Sequence, residues 1–282
     1  MGNAMRSLEE FKEKLYREKI QKALEITKVA SDRAKEAGTP LIINFSGGKD
    51  SSCLMLLAQK VGADYEALYM SSGIELPNTV DFVKREANRL GVRLHISDPV
   101  RDYRGDLAYW VRRFGYFPYC DFAWCNSRLK VRPARAYFRK IFGNKPLYKL
   151  SGVRKAESDR RMRIYREKPY IRPDGEMAGS YLVEPIRDWS GKDVKRFLAD
   201  NNFTVHKGYS QFGVSGCYWC PFYQVLIYEK ILEVYPHIYD EIIALENEIN
   251  QPSVSGRIFL RDIRDKGVSA VKQMPIEFPN VA

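Results

Sequence analysis

The stretch that decides the fold is Leu41-Ile42-Ile43-Asn44-Phe45-Ser46-Gly47-Gly48-Lys49-Asp50-Ser51-Ser52. An apolar run of strand character leads into a glycine turn, and the next apolar run, 53–58, is long enough for a buried helix. Glycines let the backbone approach an anion, and the first amides of a helix supply positive potential. We therefore expect a phosphate site here, with Lys49 adding charge, serine hydroxyls donating to oxygens, and Asp50 capping the helix.

Two common nucleotide-binding motifs are absent from the sequence. Neither the Walker A pattern Gly-x-x-x-x-Gly-Lys-Ser/Thr nor the dinucleotide pattern Gly-x-Gly-x-x-Gly occurs. The segment Ser46–Ser51 instead resembles the PP-loop of the ATP pyrophosphatase superfamily. A glycine turn can be purely structural, but a strand before it and a helix after it favour phosphate binding.

Composition indicates a globular protein that does not enter a membrane. The chain has 282 residues, of which 45% are hydrophobic, enough for a large core. No run approaches the roughly 20 apolar residues of a membrane span. The first residues, 1–6, are not followed by the apolar core of a signal peptide. We expect a cytoplasmic protein with reduced thiols.

Positive charge is concentrated in one part of the chain. The net charge is +11, and residues 128–172 contain sixteen Lys or Arg against three Asp or Glu. That block carries +13, so the remainder sums to −2. Such a block favours a polyanionic partner. A solvated basic surface, or arginines that serve a small nucleotide, are the alternatives.

Strand and helix patterns alternate after a long N-terminal helix. Helix is expected over 7–37, 79–90 and 193–201, strand over 65–70, 92–96 and 148–153, and a charged loop over 154–172. One helix, or two broken near Pro236, is expected over 223–248. The apolar stripe expected on the first helix consists of Leu8, Phe11, Leu15, Ile20, Leu24 and Val29.

This alternation with short connections predicts an α/β fold: a parallel sheet with helices on both faces and ligands at the carboxyl ends of the strands. We divide the chain into a helical extension (1–37), a PP-loop domain (38–222) and a helical C-terminal region (223–282).

The cysteines form two pairs and one single residue. Cys120 and Cys125 make one pair, and Cys217 and Cys220 form a Cys-x-x-Cys. Paired thiols near turns predict a four-thiolate metal site, for which zinc and a [4Fe-4S] cluster both have the right ligand count. A redox-active Cys-x-x-Cys is the alternative. Cys53 lies on the apolar helix, where a core role is expected.

Several segments occur in the order found in the phosphoadenosine phosphosulfate (PAPS) reductase family. The resemblance extends over about 41–222 and includes both cysteine pairs. Its segments are 46–51 (SGGKDS), 72–79 (SGIELPNT), 125–133 (CNSRLKVRP), 152–160 (GVRKAESDR), 185–190 (PIRDWS) and 216–221 (GCYWCP).

The resemblance implies a PP-loop fold of the adenine nucleotide α-hydrolase type, an adenine nucleotide ligand and sulfur chemistry. It implies catalytic roles for Lys49, Asp50, Ser51 and Arg154. The nucleotide-binding set it implies is Ser46, Gly47, Gly48, Lys49, Asp50, Ser51, Ser72, Gly73, Lys130, Gly152, Arg154, Ser158, Arg160 and Arg161. The implied metal ligands are Cys120, Cys125, Cys217 and Cys220.

Two features depart from the family pattern. In the iron–sulfur reductases of the family the first cysteine pair is adjacent, whereas four residues separate Cys120 from Cys125. The reductases also carry a catalytic cysteine in a C-terminal Glu-Cys-Gly-x-His tail, and no cysteine follows Cys220 in this sequence.

Three functions follow as hypotheses. The first is a sulfurtransferase that uses ATP and Mg²⁺ to adenylate a tRNA or DNA, with sulfur from a donor such as a cysteine desulfurase. The second is adenylyl-sulfate or PAPS reduction with release of sulfite. The third is a metal-stabilised nucleic-acid-binding module. The sequence leaves open whether two copies pair as a homodimer.

Overall fold

The computed structural model describes residues 2–175, 177, 179–214 and 216–271, without the side chains of 2–8, 270 and 271. The segment 272–282, whose lack of a cysteine entered the argument above, lies outside the described residues. The strands and helices are β1 (Leu41–Asn44), β2 (Tyr65–Met70), β3 (Leu94–Ser97), β4 (Tyr148–Leu150), β5 (Ile171–Pro173), β6 (Tyr181–Val183), α1 (Gly2–Glu36), α2 (Lys49–Lys60), α3 (Thr79–Arg89), α4 (Leu107–Phe114), α5 (Arg132–Phe142), α6 (Asp159–Ile164), α7 (Gly191–Asp200), α8 (Gly208–Phe212), α9 (Val225–Val234), α10 (Asp240–Ile249) and α11 (Leu260–Val271).

The chain divides into two compact units, each of which is discontinuous in sequence. The first contains the residues up to Tyr69 together with Asp81–His95 and Ile141–His206. The second contains Met70–Val80, Ile96–Lys140 and the described residues from Lys207 onward. The division into three regions at 1–37, 38–222 and 223–282, made from the sequence, remains a prediction.

The sheet of the first unit confirms the predicted α/β fold. Among the described residues, six strands follow the order β3-β2-β1-β4-β6-β5. β1 pairs in parallel with β2 and β4, β4 pairs in parallel with β6, and the edge strand β5 runs antiparallel to β6. β1 therefore lies inside the sheet, and its carboxyl end carries the glycine turn.

The N-terminal helix α1 packs on α2, β1 and β4 with a face different from the one expected. Phe11, Leu15 and Val29 of the expected stripe are exposed, and the side chain of Leu8 lies outside the described set. The buried face instead consists of Tyr16, Ala23, Thr27, Ala30 and Ala34. Small residues at helical spacing let α1 approach the sheet closely, so the predicted stripe is wrong at Phe11, Leu15 and Val29, whereas Ile20 and Leu24 are half-buried.

The second unit has its own core, built largely from aromatic side chains. Trp110, Phe117, Trp219, Tyr228 and Tyr239 are fully buried in it. The predicted break near Pro236 is confirmed, because α9 ends at Val234 and α10 begins at Asp240. No helix in the described part of the chain is both long and apolar enough to span a bilayer.

The structure contains one element for which the sequence made no prediction, and it corrects another. The segment after Cys125 forms a π-helical turn, Asn126–Val131, that leads directly into α5. The region 154–172, expected to be a charged loop, contains a 3₁₀ turn, Lys155–Glu157, then α6 and β5. Ser158 caps the start of α6 by accepting a hydrogen bond from the Arg161 amide. The sequence expectation missed this cap because the many charged residues of the segment indicated a loop.

Candidate functional site

The PP-loop (Ser46–Ser51) follows β1 and opens α2 in the first unit. Gly47 has φ +75°, a left-handed conformation that favours glycine. A Cβ atom at Gly47 would lie 3.1 Å from side-chain atoms of both Phe82 and Val83. The turn therefore requires glycine for its conformation and for its contact with α3.

The PP-loop serines hold the turn together. The Ser46 amide donates to Ser51 Oγ at 3.2 Å, while the Ser51 and Ser52 hydroxyls donate to the Gly48 carbonyl at 2.9 and 3.0 Å. The helix cap is Gly48, so the expectation that Asp50 caps the helix is wrong. Since no side chain caps α2, its start remains available to an anion.

A chain of alternating charges ties the PP-loop to the segment after β4. Asp50 pairs through Oδ2 with Lys49 Nζ at 2.5 Å and through Oδ1 with Arg154 Nε at 2.5 Å. Arg154, which is 5% exposed, also reaches Glu157 at 3.7 Å, and Glu157 pairs with Arg161. Sequence reasoning named four of these residues and missed Glu157. The only feature of the sequence that could have identified Glu157 is its position inside the Gly-x-Arg segment.

Gly152 brings the segment after β4 against the start of α2. A Cβ atom there would lie 3.1 Å from Asp50 Cβ, 3.2 Å from the Asp50 carbonyl carbon and 3.3 Å from the Ser51 nitrogen. Two of these neighbours are backbone atoms, which cannot rotate away. Glycine at this position therefore permits the Arg154 segment to touch the PP-loop.

Of the predicted nucleotide-binding residues, the first unit contains Ser46, Gly47, Gly48, Lys49, Asp50, Ser51, Gly152, Arg154, Ser158, Arg160 and Arg161, whereas the second contains Ser72, Gly73 and Lys130.

The basic block is less uniformly available than its charge count implies. Among the described residues, five of its cations make ion pairs with acids: Lys149, Arg154, Lys155, Arg161 and Arg172. Arg160, Arg163 and Arg166 are exposed, and in the described part of the chain they have no acidic partner. These three arginines, with the exposed Lys168, are cations near α6 that remain for a polyanion.

The second unit brings the Ser72 segment to the Cys-x-x-Cys. Glu75 forms an antiparallel bridge with Cys217, and the Tyr218 amide donates to the Ile74 carbonyl at 2.8 Å. Ser72 Oγ lies 3.2 Å from Cys217 Sγ, and the Ser72 amide donates to the Glu75 carboxylate. Ser72, predicted to bind nucleotide, thus contacts a thiol.

The paired cysteines interact with one another and with a lysine. Burial, with nearby Cys217 and Cys220, raises the pKa of Cys125 to about 12. Burial likewise raises the pKa of Cys220 to about 11. Cys217, which accepts a hydrogen bond from Lys130, raises the pKa of that ammonium group. Cys120 is exposed, and its thiol donates to the Pro221 carbonyl at 2.9 Å.

Tyrosine hydroxyls fix the backbone of the Cys-x-x-Cys turn. Tyr223 donates to the Cys217 carbonyl at 2.8 Å, Tyr228 to the Cys220 carbonyl at 2.6 Å, and Tyr239 to the Tyr218 carbonyl at 2.8 Å. Sequence reasoning missed this role, since the tyrosines of 223–239 read only as apolar helix residues.

The four paired cysteines suit a metal by their chemistry more than by their present placement. Thiolates in two pairs are the ligands that zinc and iron–sulfur clusters take. Within the described residues, however, no three His, Cys, Asp or Glu side chains are arranged to hold a metal ion. The metal assignment of Cys120, Cys125, Cys217 and Cys220 therefore stays a prediction. Cys53 is fully buried in the first unit, where burial raises the pKa of its thiol.

Comparisons with known proteins agree with this geometry. The family model of the phosphoadenosine phosphosulfate reductase domain matches residues 40–222. The uncharacterized protein MJ0973 of Methanocaldococcus jannaschii is 31% identical over 226 residues, which cover 79% of this chain and 52% of that protein. The phosphoadenosine 5'-phosphosulfate reductase of Alteromonas mediterranea is 26% identical over 179 residues, covering 62% of this chain and 66% of that protein.

Among solved structures, the phosphoadenylyl-sulfate reductase of Candida auris in its phosphate complex has a TM-score of 0.48 at 17% identity. The match covers 70% of this chain and 88% of that one. The chain spans only about half the length of MJ0973. Since the family model matches well over half of the chain, this protein belongs to the phosphoadenosine phosphosulfate reductase family.

Proposed function

We propose that this protein is an ATP-dependent sulfurtransferase acting on nucleic acid in a reducing, cytoplasmic setting. The observation that supports it most is the start of α2, where no side chain caps the helix. Gly47, two residues before Lys49, has a left-handed backbone conformation there. Such a site suits the phosphates of ATP. The reaction would join AMP to an oxygen of the acceptor and release pyrophosphate. A sulfur nucleophile would then form the new bond to the acceptor as AMP leaves with that oxygen.

The residues of the PP-loop account for the first step of this reaction. The open amides of α2 would hold phosphate oxygens, and Lys49 would shift from Asp50 toward the added negative charge. Arg154 is fixed between Asp50 and Glu157, so it would position the loop and present its remaining N–H groups to phosphate. Magnesium that enters with ATP would neutralise phosphate charge.

The thiols account for the sulfur chemistry in this proposal. Cys120, Cys125, Cys217 and Cys220 would hold a [4Fe-4S] cluster, or alternatively zinc, once the free thiols lose their protons. Such a centre would supply a place for sulfur before transfer. Lys130 would stabilise the thiolate of Cys217. The sulfur itself would come from a persulfide donor such as a cysteine desulfurase. Because persulfide sulfur must gain two electrons to become the new thio group, a thiol such as free cysteine would be oxidised to a disulfide in that delivery.

Nucleic acid is proposed as the acceptor because of three exposed arginines. Arg160, Arg163 and Arg166 have no acidic partner among the described residues, so they can release counterions from a phosphate backbone. Reversing all three to glutamate should weaken tRNA binding at every sequence and flatten the plot of log affinity against log salt by about one per lost contact.

The matched control reverses Lys12, Lys35 and Lys60, which are exposed in the same unit and outside the basic block. Net charge changes equally in the two triple variants. Equal loss of tRNA affinity in both variants would show that overall charge, and not this arginine group, drives binding.

Sulfur transfer is tested directly by incubating the protein with ATP, magnesium, bulk tRNA, cysteine and a cysteine desulfurase. Mass spectrometry of the digested nucleosides should find a sulfur-containing nucleoside that depends on ATP, with AMP formed in equal amount. The Lys49→Ala variant should form neither. A parallel reaction with DNA, digested and examined for phosphorothioate links, tests the other acceptor. Unchanged nucleosides and unmodified DNA, in the presence of a competent donor, would contradict the proposal.

Sulfonucleotide reduction is the second candidate. It is favoured by the names of two relatives, the phosphoadenosine 5'-phosphosulfate reductases of Alteromonas mediterranea and Synechococcus. Sulfite release from PAPS or adenylyl sulfate with a thiol reductant, without ATP, would support this candidate. Sulfite formation together with a failure to modify nucleic acid would replace the first proposal by the second.

A further inference from the structure

A continuous series of aromatic rings crosses the second unit and ends at the surface. We call this series the aromatic strip; its members are Tyr103, Trp110, Phe114, Tyr116, Tyr119 and Phe122. The centroid of Trp110 lies 6.0 Å from Tyr103 and 5.4 Å from Phe114, with the rings nearly parallel in both pairs. Phe114 stacks on Tyr116 at 6.0 Å, and Tyr116 lies 6.2 Å from Phe122.

Burial changes along the aromatic strip from one end to the other. Trp110 is 1% exposed, whereas Tyr119 is 38% and Phe122 is 54% exposed. The buried member is anchored in the hydrophobic core, which fixes the strip in place. The exposed rings are held by each other, with Tyr119 and Phe122 6.4 Å apart, and they present faces to which another ring can be added.

Arginines accompany the aromatic strip. The guanidinium of Arg128 lies 4.6 Å from the Trp110 centroid and 5.6 Å from that of Phe114. Arg132 donates to the Tyr103 hydroxyl at 3.0 Å. Neither arginine pairs with a carboxylate in the described part of the chain, and the same holds for the exposed Arg104 and Arg113.

Few acids oppose these arginines. Among the charged neighbours in sequence, Asp102 is paired with Arg101 and Arg112 with Glu248, while Asp106 caps α4 and Asp121 lies exposed in the turn. The strip therefore combines open ring faces with cations that have no carboxylate to neutralise them. This is the combination that single-stranded nucleic acids require: aromatic faces for unpaired bases and cations for the backbone.

Cys120 lies between the two exposed rings in sequence and is itself exposed. A base stacked on Phe122 would therefore bind in the same turn that carries one of the four paired thiols. Duplex nucleic acid cannot reach this arrangement, because its bases are already stacked on one another and paired. The exposed end of the strip therefore favours a base that has left its stack.

We propose that the aromatic strip binds unpaired bases of a single-stranded segment, and that the acceptor of the proposed sulfur transfer is a base in such a segment. The identification of that base as the sulfur acceptor rests on the proposed function. Binding of a single strand to the aromatic strip does not. Loops of folded RNA and single-stranded DNA share the chemistry, and the test separates them.

The test measures fluorescence anisotropy of a labelled strand of about 12 thymidines, the matching uridine strand, and the thymidine strand annealed to its complement, a length within the usual range for such sites. The Phe122→Leu variant keeps an apolar side chain and removes the ring, while Phe122→Trp keeps a ring. Phe11→Ala is the matched control, because Phe11 is 63% exposed in the first unit.

Phe122→Leu should lower affinity for the single strands by about fivefold or more, the loss expected when one stacking ring is removed. Phe122→Trp should retain affinity, and Phe11→Ala should bind like the wild type. The ratio of uridine to thymidine affinity tells RNA from DNA. Unchanged single-strand affinity in Phe122→Leu, or an equal loss of affinity for the duplex, overturns the inference. The aromatic strip would then be assigned to binding a protein partner.

Cleavage of ATP by the same variants is measured in parallel. If ATP is not cleaved but Phe122→Leu loses single-strand binding, the proposed function fails while the strip assignment stands. If ATP is cleaved normally but no single strand binds at low salt, the strip assignment fails alone.

Discussion

The sharpest prediction of the structure concerns the replacement of Gly47 by alanine. Gly47 adopts φ +75°, and an added Cβ would meet Phe82 Cδ1 and Val83 Cγ2, each at 3.1 Å. Two penalties therefore combine at this position. Left-handed backbone costs an alanine about 1–2 kcal/mol, and crowding a packed contact costs about 1–3 kcal/mol.

Gly38→Ala is the matched control for Gly47→Ala. Gly38 has φ +65°, but an added Cβ would find no atom within 4 Å. The control should lose only the conformational part, about 1–2 kcal/mol of the free energy of unfolding. Gly47→Ala should lose about 2–5 kcal/mol. The difference between the two variants measures the contact of the PP-loop with α3.

The assay combines urea unfolding with calorimetric titration of ATP. In Gly47→Ala the contact can be relieved only by moving Phe82 and Val83 or the PP-loop, so ATP affinity should fall about tenfold or more, which corresponds to about 1.4 kcal/mol. Gly38→Ala should bind ATP like the wild type. Equal destabilisation of the two variants, or wild-type ATP affinity in Gly47→Ala, would refute this reasoning.

Two further predictions follow from buried charges. Arg154→Gln should lower the free energy of unfolding by about 1.5–3 kcal/mol, since Asp50 loses a charged hydrogen bond, and should weaken ATP binding in calorimetry; Arg154→Lys should recover only part of both. Wild-type stability in Arg154→Gln would count against the ion pair. Burial raises the pKa of Glu246 above its ordinary 4.5, although the Leu260 and Ser253 amides donate to it. The folded state thus binds this proton more tightly than the unfolded state, so the stabilising contribution of this group is fully present below about pH 4.5 and falls as pH rises through the raised value. Glu246→Gln should flatten that fall in urea midpoints taken at stepped pH, and an unchanged slope would exclude Glu246 as its source.

The fold was predictable where local patterns and packing agree. The apolar strand, glycine turn and buried helix of 41–60 are each specified by nearby residues, and the structure has them as β1, the PP-loop and α2. The extent of helix α1 was predicted, but the face that it buries against the sheet was not. Its exposed Phe11 and Leu15 are large and apolar, whereas Ala23, Ala30 and Thr27 are buried, because close contact with a sheet selects small side chains.

The residues of the candidate site were named from the sequence, but their pairings were not. Asp50 and Arg154 are 104 residues apart, and only the fold shows that they form an ion pair. The capping role expected for Asp50 failed because that carboxylate is drawn to Lys49 and Arg154 instead. A local helix-start rule cannot include a partner contributed by a distant loop.

The basic block shows the same limit for charge. Counting along the sequence treats each cation as available, whereas Lys149 pairs with Asp174 and Arg172 with Glu184, acids that lie outside the counted segment. The availability of Arg160, Arg163 and Arg166 therefore emerges only from the folded chain. The stacking of the aromatic strip likewise emerges only from the folded chain, because its rings follow no regular spacing in the sequence.

The central claim is that the PP-loop binds ATP for cleavage between the α and β phosphates. The direct measurement is chromatography of the nucleotide products after incubation with ATP, magnesium, tRNA, cysteine and a cysteine desulfurase, with Gly47→Ala as the inactive control. AMP and pyrophosphate are expected in equal amounts, formed by the wild type and lost in the variant. ADP and inorganic phosphate as the products, or AMP formed equally by both proteins, would contradict it.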